Sequence, residues 1–395
     1  MIEGSPHSCD IVLGGVPRFA AEAPWSRRLL TRYAREIPCA SRTEIWGRRP
    51  AASDAAGQMP LVLVVADPEA ILLPSSAARL ISTLARHPEL DVLLPVSNEP
   101  LTEEARHAPS FPYVTPSMLE RCVSEIAARP DEPRAASQPR SPVYLARRAA
   151  LAGLPPSCPL DGVPEEAGRR GLAVAVDPGA YVHRYGAMDA QRRPDLVGLV
   201  PEGARSVLDV GCARGETAGA LRARGVTFLA GVEADAEDAR AAASVFDRVV
   251  AAPLDAVAEA WEGRFDAILF GDVLEHLTDP AAALERVRPW LSPRGAVVAS
   301  VPNVGHWAIV SDLIAGRFDY VPYSLLSGTH VRFFTRRTLH DLFEGCGYRV
   351  ESTETVILPV PPDGASRLAQ LSALPGASRD LNVAEFLIVA RPAGA

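Results

Sequence analysis

The stretch Val207-Leu208-Asp209-Val210-Gly211-Cys212-Ala213-Arg214-Gly215-Glu216-Thr217 constrains the fold more than any other part of the chain. Val207 to Val210 reads as a short buried strand. Gly211 and Gly215 mark a tight turn behind it. Ala218 to Arg224 is alanine-rich, helix-forming, and ends at Gly225. Strand, glycine turn, helix is the opening unit of a doubly wound nucleotide-binding sheet. Glycine admits positive φ and lets a ligand approach the main chain.

The turn narrows the ligand class. A dinucleotide fingerprint counted from Gly211 requires glycine at 213 and 216, where this chain has Ala213 and Glu216. A carboxylate in the first helical turn repels a pyrophosphate. Asp209 and Glu216 instead suit a ligand with an ammonium or sulfonium group and no phosphate, namely S-adenosylmethionine. Val226 to Val232 is a second apolar run, and Glu233 and Ala234 follow it. An acid at that point accepts ribose hydroxyls. Glu233 taken alone reads equally well as a solvated strand end; its spacing after Asp209 favours the ribose.

Four segments, VLDVGCARG, GVEAD, FDAILFGDVLEHLTDP and LSPRGAVVASVPN, stand in one order. Through them, residues 190 to 392 resemble a class I S-adenosylmethionine-dependent methyltransferase. The resemblance implies a Rossmann-like seven-stranded sheet with an antiparallel last hairpin. It implies that Gly271 and Asp272 line the cofactor pocket and that His276 is the titratable group nearest to it. His276 also reads as a cap or packing residue of the next helix. Ala213 stands where the family has a middle glycine. Pro253 stands where it often has an acid that meets adenine, so the Leu254 main chain or Asp255 is expected to take that part.

Length and composition set the frame. The chain has 395 residues, which suggests two domains, 1–186 and 187–395. A net charge of −8 argues against a nucleic-acid binder, and the N/D-P-P-Y/F motif of nucleic-acid methyltransferases is absent after the fourth strand. Much Ala and Arg with little Lys points to a GC-rich bacterial genome. Cys9, Cys39, Cys122, Cys158, Cys212 and Cys346 form no C-x-x-C pair and no Cys/His cluster of zinc spacing, so reduced thiols, a cytoplasmic protein and no metal site are expected. No signal peptide and no apolar run of about 18 residues is visible.

The first domain also alternates strand and helix signals. Asp10–Leu13, Thr43–Trp46, Leu61–Ala66 and Leu90–Val96 read as strands, Trp25–Glu36 and Ser75–His87 as helices, and Asn98–Pro142 as irregular. PLVLVVADPEAILLPSSAARLISTLARHPELDVLLP, SPVYLARRAAL and GLAVAVDPGAYVHRYG resemble the donor-binding core of a family 2-type glycosyltransferase. That resemblance implies Mg²⁺ or Mn²⁺ on Asp67 and Glu69, with His183 a late ligand and an acid between Asp161 and Glu166 the acceptor base. The pair is D-P-E where the family has D-x-D. A degenerate glycosyltransferase-A-like scaffold or acceptor-binding domain, and an unrelated α/β domain, stay open beside an active enzyme.

Past Phe265–Phe270, which reads as the fourth strand of this domain, Asp272, Glu275 and His276 are expected at the ligand-binding edge. Residues 303–338 hold six aromatics, Trp307, Phe318, Tyr320, Tyr323, Phe333 and Phe334, together with His306 and His330. Such a mixture suits a ring-shaped acceptor, with Phe333 and Phe334 structural and the two histidines facing it. GTHVRFFTRRTL resembles methyltransferases of bacterial surface-glycan synthesis. The sequence thus reads as an enzyme that O-methylates a sugar or related small acceptor, in glycan or secondary metabolism, with His276, His306 or His330 as base. A bifunctional glycosyltransferase-methyltransferase and a non-catalytic docking module are the alternatives. A homodimer is possible on this reading.

Overall fold

The computed structural model describes residues 9–15, 23–37, 39–46, 48, 50–55, 57–68, 70–98, 102, 105–106, 114–129, 131–184, 193–259, 261–321 and 324–394. The chain divides into two compact units. One is Met1–Ala187 with Asp319–Gly328; the other is Met188–Phe318 with Thr329–Ala395. The sequence reading drew a single boundary after 186 and kept 319–328 in the second unit. The excursion has a local cause that no pattern announces: Asp319 accepts from Arg32 at 2.9 Å, and Val321 and Ser327 close a small loop through a bridge.

The first unit runs β1 (Cys9–Gly15), α1 (Ala23–Ala34), β2 (Cys39–Trp46), β3 (Leu61–Val65), β4 (Ala70–Leu72), α2 (Pro74–Arg86), β5 (Val92–Ser97), α3 (Pro116–Ala127), β6 (Arg134–Ala135), β7 (Val143–Arg147), α4 (Arg148–Ala152), α5 (Val163–Arg169) and β8 (Val174–Arg184). Its sheet has the order β2-β1-β3-β7-β5-β8-β4, with β6 on β8. β7 runs antiparallel to both its neighbours. The irregular stretch expected after Asn98 contains a full helix, α3. Its start was legible: the Thr115 hydroxyl accepts the Met118 amide and Pro116 takes the first helical position.

The second unit runs α6 (Pro194–Gly198), β9 (Ser206–Val210), α7 (Ala218–Ala223), β10 (Phe228–Glu233), α8 (Ala236–Ala242), β11 (Arg248–Ala251), β12 (Phe265–Gly271), α9 (Pro280–Val287), β13 (Leu291–Pro302), α10 (Trp307–Ile314), α11 (Arg336–Gly345), β14 (Tyr348–Ile357), α12 (Pro362–Ser372) and β15 (Val383–Pro392). The sheet order is β11-β10-β9-β12-β13-β15-β14. The first five strands are parallel, and β15 is antiparallel to β13 and β14. The strand order reverses between β9 and β12, the switch point where ligands bind in such sheets.

Alternation along the strands explains their continuous apolar character. Leu208, Val210, Ile268, Phe270, Val297 and Ala299 join one core. Val207, Ala267, Leu269, Ala296 and Val298 join the other. Both faces are covered, so both sets must be apolar. Asp209 breaks the alternation and is buried. Helix starts follow local chemistry: the Asp279 carboxylate accepts the Ala282 amide ahead of Pro280, and Thr335 and Thr338 form a reciprocal cap on α11.

Phe265 is fully buried against the edge of Trp261, whose ring meets Trp290 at 5.3 Å. Phe265→Ala should lower the unfolding free energy of this unit by about 3–5 kcal/mol. A urea titration followed by tryptophan fluorescence checks this; a loss below about 1 kcal/mol would mean that the core closes over the gap.

Candidate active site

In-phase pairing assembles the site. Val210 is matched with Val232 on β10 and with Phe270 on β12, and Glu233 with Ala251 on β11. Gly211, Glu233 and Gly271 therefore leave the sheet at one C-terminal edge. Gly211 has φ +70° and Gly215 φ +91°. A Cβ on Gly211 would stand 2.6 Å from Val273 Cγ2. Ala213 lies between them at φ +45°, which costs a non-glycine residue roughly 1–2 kcal/mol. Its amide is held by Glu233 Oε2 at 2.9 Å.

The acids at this edge differ sharply. Asp209 is buried and accepts from the Thr217 hydroxyl at 2.6 Å. Burial, opposed by that bond and reinforced by Glu216 and Glu233, pushes its pKa up to about 7. Glu233 also accepts the Asp235 amide at 2.8 Å, so each carboxylate oxygen has one backbone donor and a spare lone pair. Ala234 is exposed beside it, and Gly271 is half-buried. Leu254 is buried and Asp255 exposed in one short turn after β11.

Asp272 is a second non-glycine residue at positive φ, +54°, and its amide and carboxylate both bond Ser300 Oγ, at 2.9 and 3.0 Å. Arg193 bonds Asp272, Asp195 at 3.1 Å and Glu385 at 2.6 Å. Burial opposes the charge on Arg193, and these carboxylates overrule it, holding its pKa above the ordinary value. Burial and Asp272 push Glu385 up to about 8. Burial, then Asp272, also push Glu275 well above the carboxylate range. Both Glu275 carboxylate oxygens are buried without a hydrogen-bond partner.

Glu275 sits with two histidines. The rings of His276 and His330 meet edge to face at 4.8 Å, and His330 Nε2 lies 4.0 Å from Glu275 Oε1. The loop carrying His330 is pinned because the Val331 and Arg332 amides both donate to the Glu275 carbonyl. His276 Nδ1 lies 3.2 Å from the Thr329 carbonyl, so it carries the proton and Nε2 keeps the lone pair. His276 is exposed by accessible area, yet enough protein surrounds the ring for desolvation to lower its pKa.

His306 behaves differently. It caps α10, with Nδ1 accepting the Ala308 amide at 3.3 Å, so Nε2 carries a proton, buried and unpartnered. Burial lowers its pKa to about 4. The aromatic stretch is likewise dispersed. Trp307 and Phe334 are core residues, Phe318 packs on Phe333 at 5.6 Å, Tyr320 belongs to the first unit, and Tyr323 lies outside the described residues. The mixed aromatic surface expected over 303–338 is not assembled from the described residues.

In the first unit, Asp67 accepts from Arg184 at 2.7 Å. Glu69 lies outside the described residues. His183 is buried beside the Tyr181 hydroxyl, and burial lowers its pKa to about 3. Glu165 and Glu166 are both paired with Arg169 of their own helix. Among the described residues, Asp67 and His183 join no cluster of metal-ligating groups.

A family model described as a methyltransferase domain matches residues 179–353. An uncharacterized methyltransferase of Mycobacterium bovis is 32% identical over 171 residues, 41% of this chain and 82% of that protein. The chain belongs to the methyltransferases. The methyltransferase is also 28% identical over 174 residues, 42% of its length and 65% of the other's, to a protein of Psychrobacter arcticus named ubiquinone biosynthesis O-methyltransferase. A solved S-adenosylmethionine-dependent methyltransferase of Mesorhizobium loti covers 52% of this chain and 98% of that one, at 23% identity and a TM-score of 0.37.

The matched methyltransferase domain makes the enzyme an S-adenosylmethionine-dependent methyltransferase. The edge residues fit that cofactor: a glycine cradle, a buried acid, and a second acid with spare lone pairs for hydroxyls. If Asp209 faces the cationic end, it must lose its proton first. Binding should then tighten as pH rises through 7, with affinity about fivefold weaker at pH 6 than at pH 7 and about tenfold weaker than at pH 8. Calorimetry between pH 6 and 8 tests it, with Asp209→Asn expected to flatten the profile. An equal pH dependence in the variant would remove Asp209 from the pocket.

Proposed function

We propose that the methyltransferase acts on a hydroxyl oxygen of a small acceptor, a sugar or a related ring-bearing compound of bacterial glycan or secondary metabolism. The observation that carries this reading is His276, whose Nδ1 is held by the Thr329 carbonyl and whose Nε2 is left with its lone pair. An amine acceptor is nucleophilic when neutral; a hydroxyl needs help to lose its proton, and a lone pair fixed in direction supplies it. The name of the Psychrobacter arcticus relative supports oxygen as the acceptor atom. The sugar class rests on the resemblance of GTHVRFFTRRTL alone.

Bound S-adenosylmethionine supplies an already activated methyl group on a sulfonium. Asp209 and Glu233 are the acids we assign to its cationic and ribose ends, with Gly211, Ala213, Gly215 and Ala234 as the main-chain cradle. Leu254 or Asp255 takes the adenine side, and Gly271 and Asp272 close the pocket floor. The protein's main task is alignment, which can contribute up to about 7–11 kcal/mol. The Arg193 clamp on Asp272 and Glu385 keeps the ends of β12 and β15 fixed for that purpose. The group of Glu275, His276 and His330 then receives the acceptor proton. His306 is left out, because its one acceptor nitrogen already caps α10.

For the first unit, the Arg184 pair on Asp67 favours a degenerate glycosyltransferase-like scaffold over metal-dependent sugar transfer. A docking or acceptor-presenting role fits that reading.

Transfer of labelled methyl into a panel of sugars, phenols and amines tests the assignment. Hydroxyl acceptors should be labelled and amines not. His276→Ala should lower kcat roughly 10²- to 10⁴-fold with unchanged affinity for S-adenosylmethionine. Labelling of amines alone would overturn the oxygen assignment; labelling of phenols alone would discard the sugar.

A further inference from the structure

We propose that Glu275, His276 and His330 bind a divalent cation of the first transition row, Zn²⁺ or Mn²⁺, beside the methyl-transfer site. Their ligand atoms all lie within 4.8 Å of one another. Bonds of about 2.0–2.2 Å to a shared ion need separations of roughly 3–4 Å, which side-chain rotations of about 1 Å achieve. The donor set is two imidazoles and one carboxylate. Nitrogen donors favour Zn²⁺ or Mn²⁺ over Mg²⁺ and Ca²⁺, which prefer oxygen throughout.

The independent observation is Glu275 itself. It is 1% exposed, and neither carboxylate oxygen has a hydrogen-bond partner. A buried ionised carboxylate without a partner costs several kcal/mol. Protonation does not repair the site, because a neutral carboxyl still has a hydroxyl donor and a carbonyl acceptor to satisfy. Nearby charge makes matters worse. The one guanidinium here, Arg193, bonds Asp195, Asp272 and Glu385 and leaves Glu275 out. A cation at Glu275 would supply the partner that Arg193 gives the other carboxylates and denies this one.

The surroundings of the histidines point the same way. A ligating imidazole usually donates its second N–H to a carbonyl or carboxylate, which fixes ring and tautomer. His276 Nδ1 does this with the Thr329 carbonyl. His330 follows Thr329 directly, and the next two amides are bonded to the Glu275 carbonyl. One pinned loop thus holds both nitrogen donors within 4.8 Å of the carboxylate.

The role of the ion rests on the hydroxyl-acceptor reading above. A hydroxyl bound to a divalent cation loses its proton far more readily, so the oxygen is presented as a nucleophile near neutral pH. With the ion bound, Glu275, His276 and His330 serve as its ligands in place of the base role assigned above, and the proton leaves to solvent. An acceptor with two adjacent oxygens would gain most, because both can reach one ion.

The test uses the full chain, stripped with EDTA and dialysed, then titrated with Zn²⁺, Mn²⁺ and Mg²⁺ by calorimetry with metal content read by mass spectrometry. One equivalent of Zn²⁺ or Mn²⁺ should bind, and Glu275→Gln and His330→Ala should each weaken binding at least tenfold while S-adenosylmethionine still binds, which shows the fold intact. No stoichiometric binding to the wild type, or equal binding to all three proteins, overturns the proposal. Methyl transfer to hydroxyls at full rate in EDTA also overturns it and leaves the oxygen assignment standing. Stoichiometric binding lost in both variants, with no transfer to any hydroxyl, supports the site and removes the assigned acceptor class.

Discussion

The pairing of β9 between β10 and β12 is the interaction on which the rest depends. Its register is uniform: Asp209 lies opposite Gly231 and Leu269, and Val210 opposite Val232 and Phe270. A slip of one residue on any strand would turn its apolar set to the wrong core and move one loop off the ligand edge. Both penalties act together, because both faces of these strands are buried. The cores therefore fix the site. The glycine turn, Glu233 and the Gly271 turn have no freedom to separate once the sheet is formed.

Charge is arranged less economically. Around Asp272 the chain places several carboxylates and a single buried arginine, and Arg193 reaches it from the left-handed region, at φ +40°. Asp272 is in the same region at φ +54°. Two strained residues joined by an ion pair are stable only where the surroundings leave no alternative. Here the Ser300 hydroxyl fixes Asp272 from the sheet side and Glu385 fixes Arg193 from β15. The strain lies at the switch point of the sheet, where a side chain must be directed outward from a strand end.

How much of this was legible follows from range. Strand β9, its glycine turn and the acid that ends β10 rest on patterns within a few residues, the antiparallel last pair rests on the family resemblance, and the structure has all of them. The Asp279-Pro280 helix start is written in the sequence in the same local way. The Thr115-Pro116 start carries an equal signal and was lost among prolines. What is encoded at long range was not readable. His276 and Thr329 are 53 positions apart, Arg193 and Asp272 are 79, and Arg32 and Asp319 are 287. Zinc-type spacing rules search neighbouring ligands, so they could not gather Glu275 with His330. The aromatic count in 303–338 misled for a different reason. Composition reports how many rings a segment has and not which face they take: Phe334 is in the core as expected, and Trp307 is there as well.

Two glutamates at this edge show the division of labour most clearly. Glu233 is met by two backbone amides, from Ala213 and Asp235, at 2.9 and 2.8 Å. It is half-buried, and a ligand hydroxyl can share it without disturbing the loop. Glu275 has its carbonyl bonded by two amides and its carboxylate bonded by none. The backbone around Glu275 is thus as ordered as that around Glu233, and only the charged end is left unsatisfied. Disorder cannot account for that contrast, because the main chain is held on both sides. A fold that satisfies one acid and holds another, equally well positioned, without a partner has reserved the second for a group from outside the polypeptide.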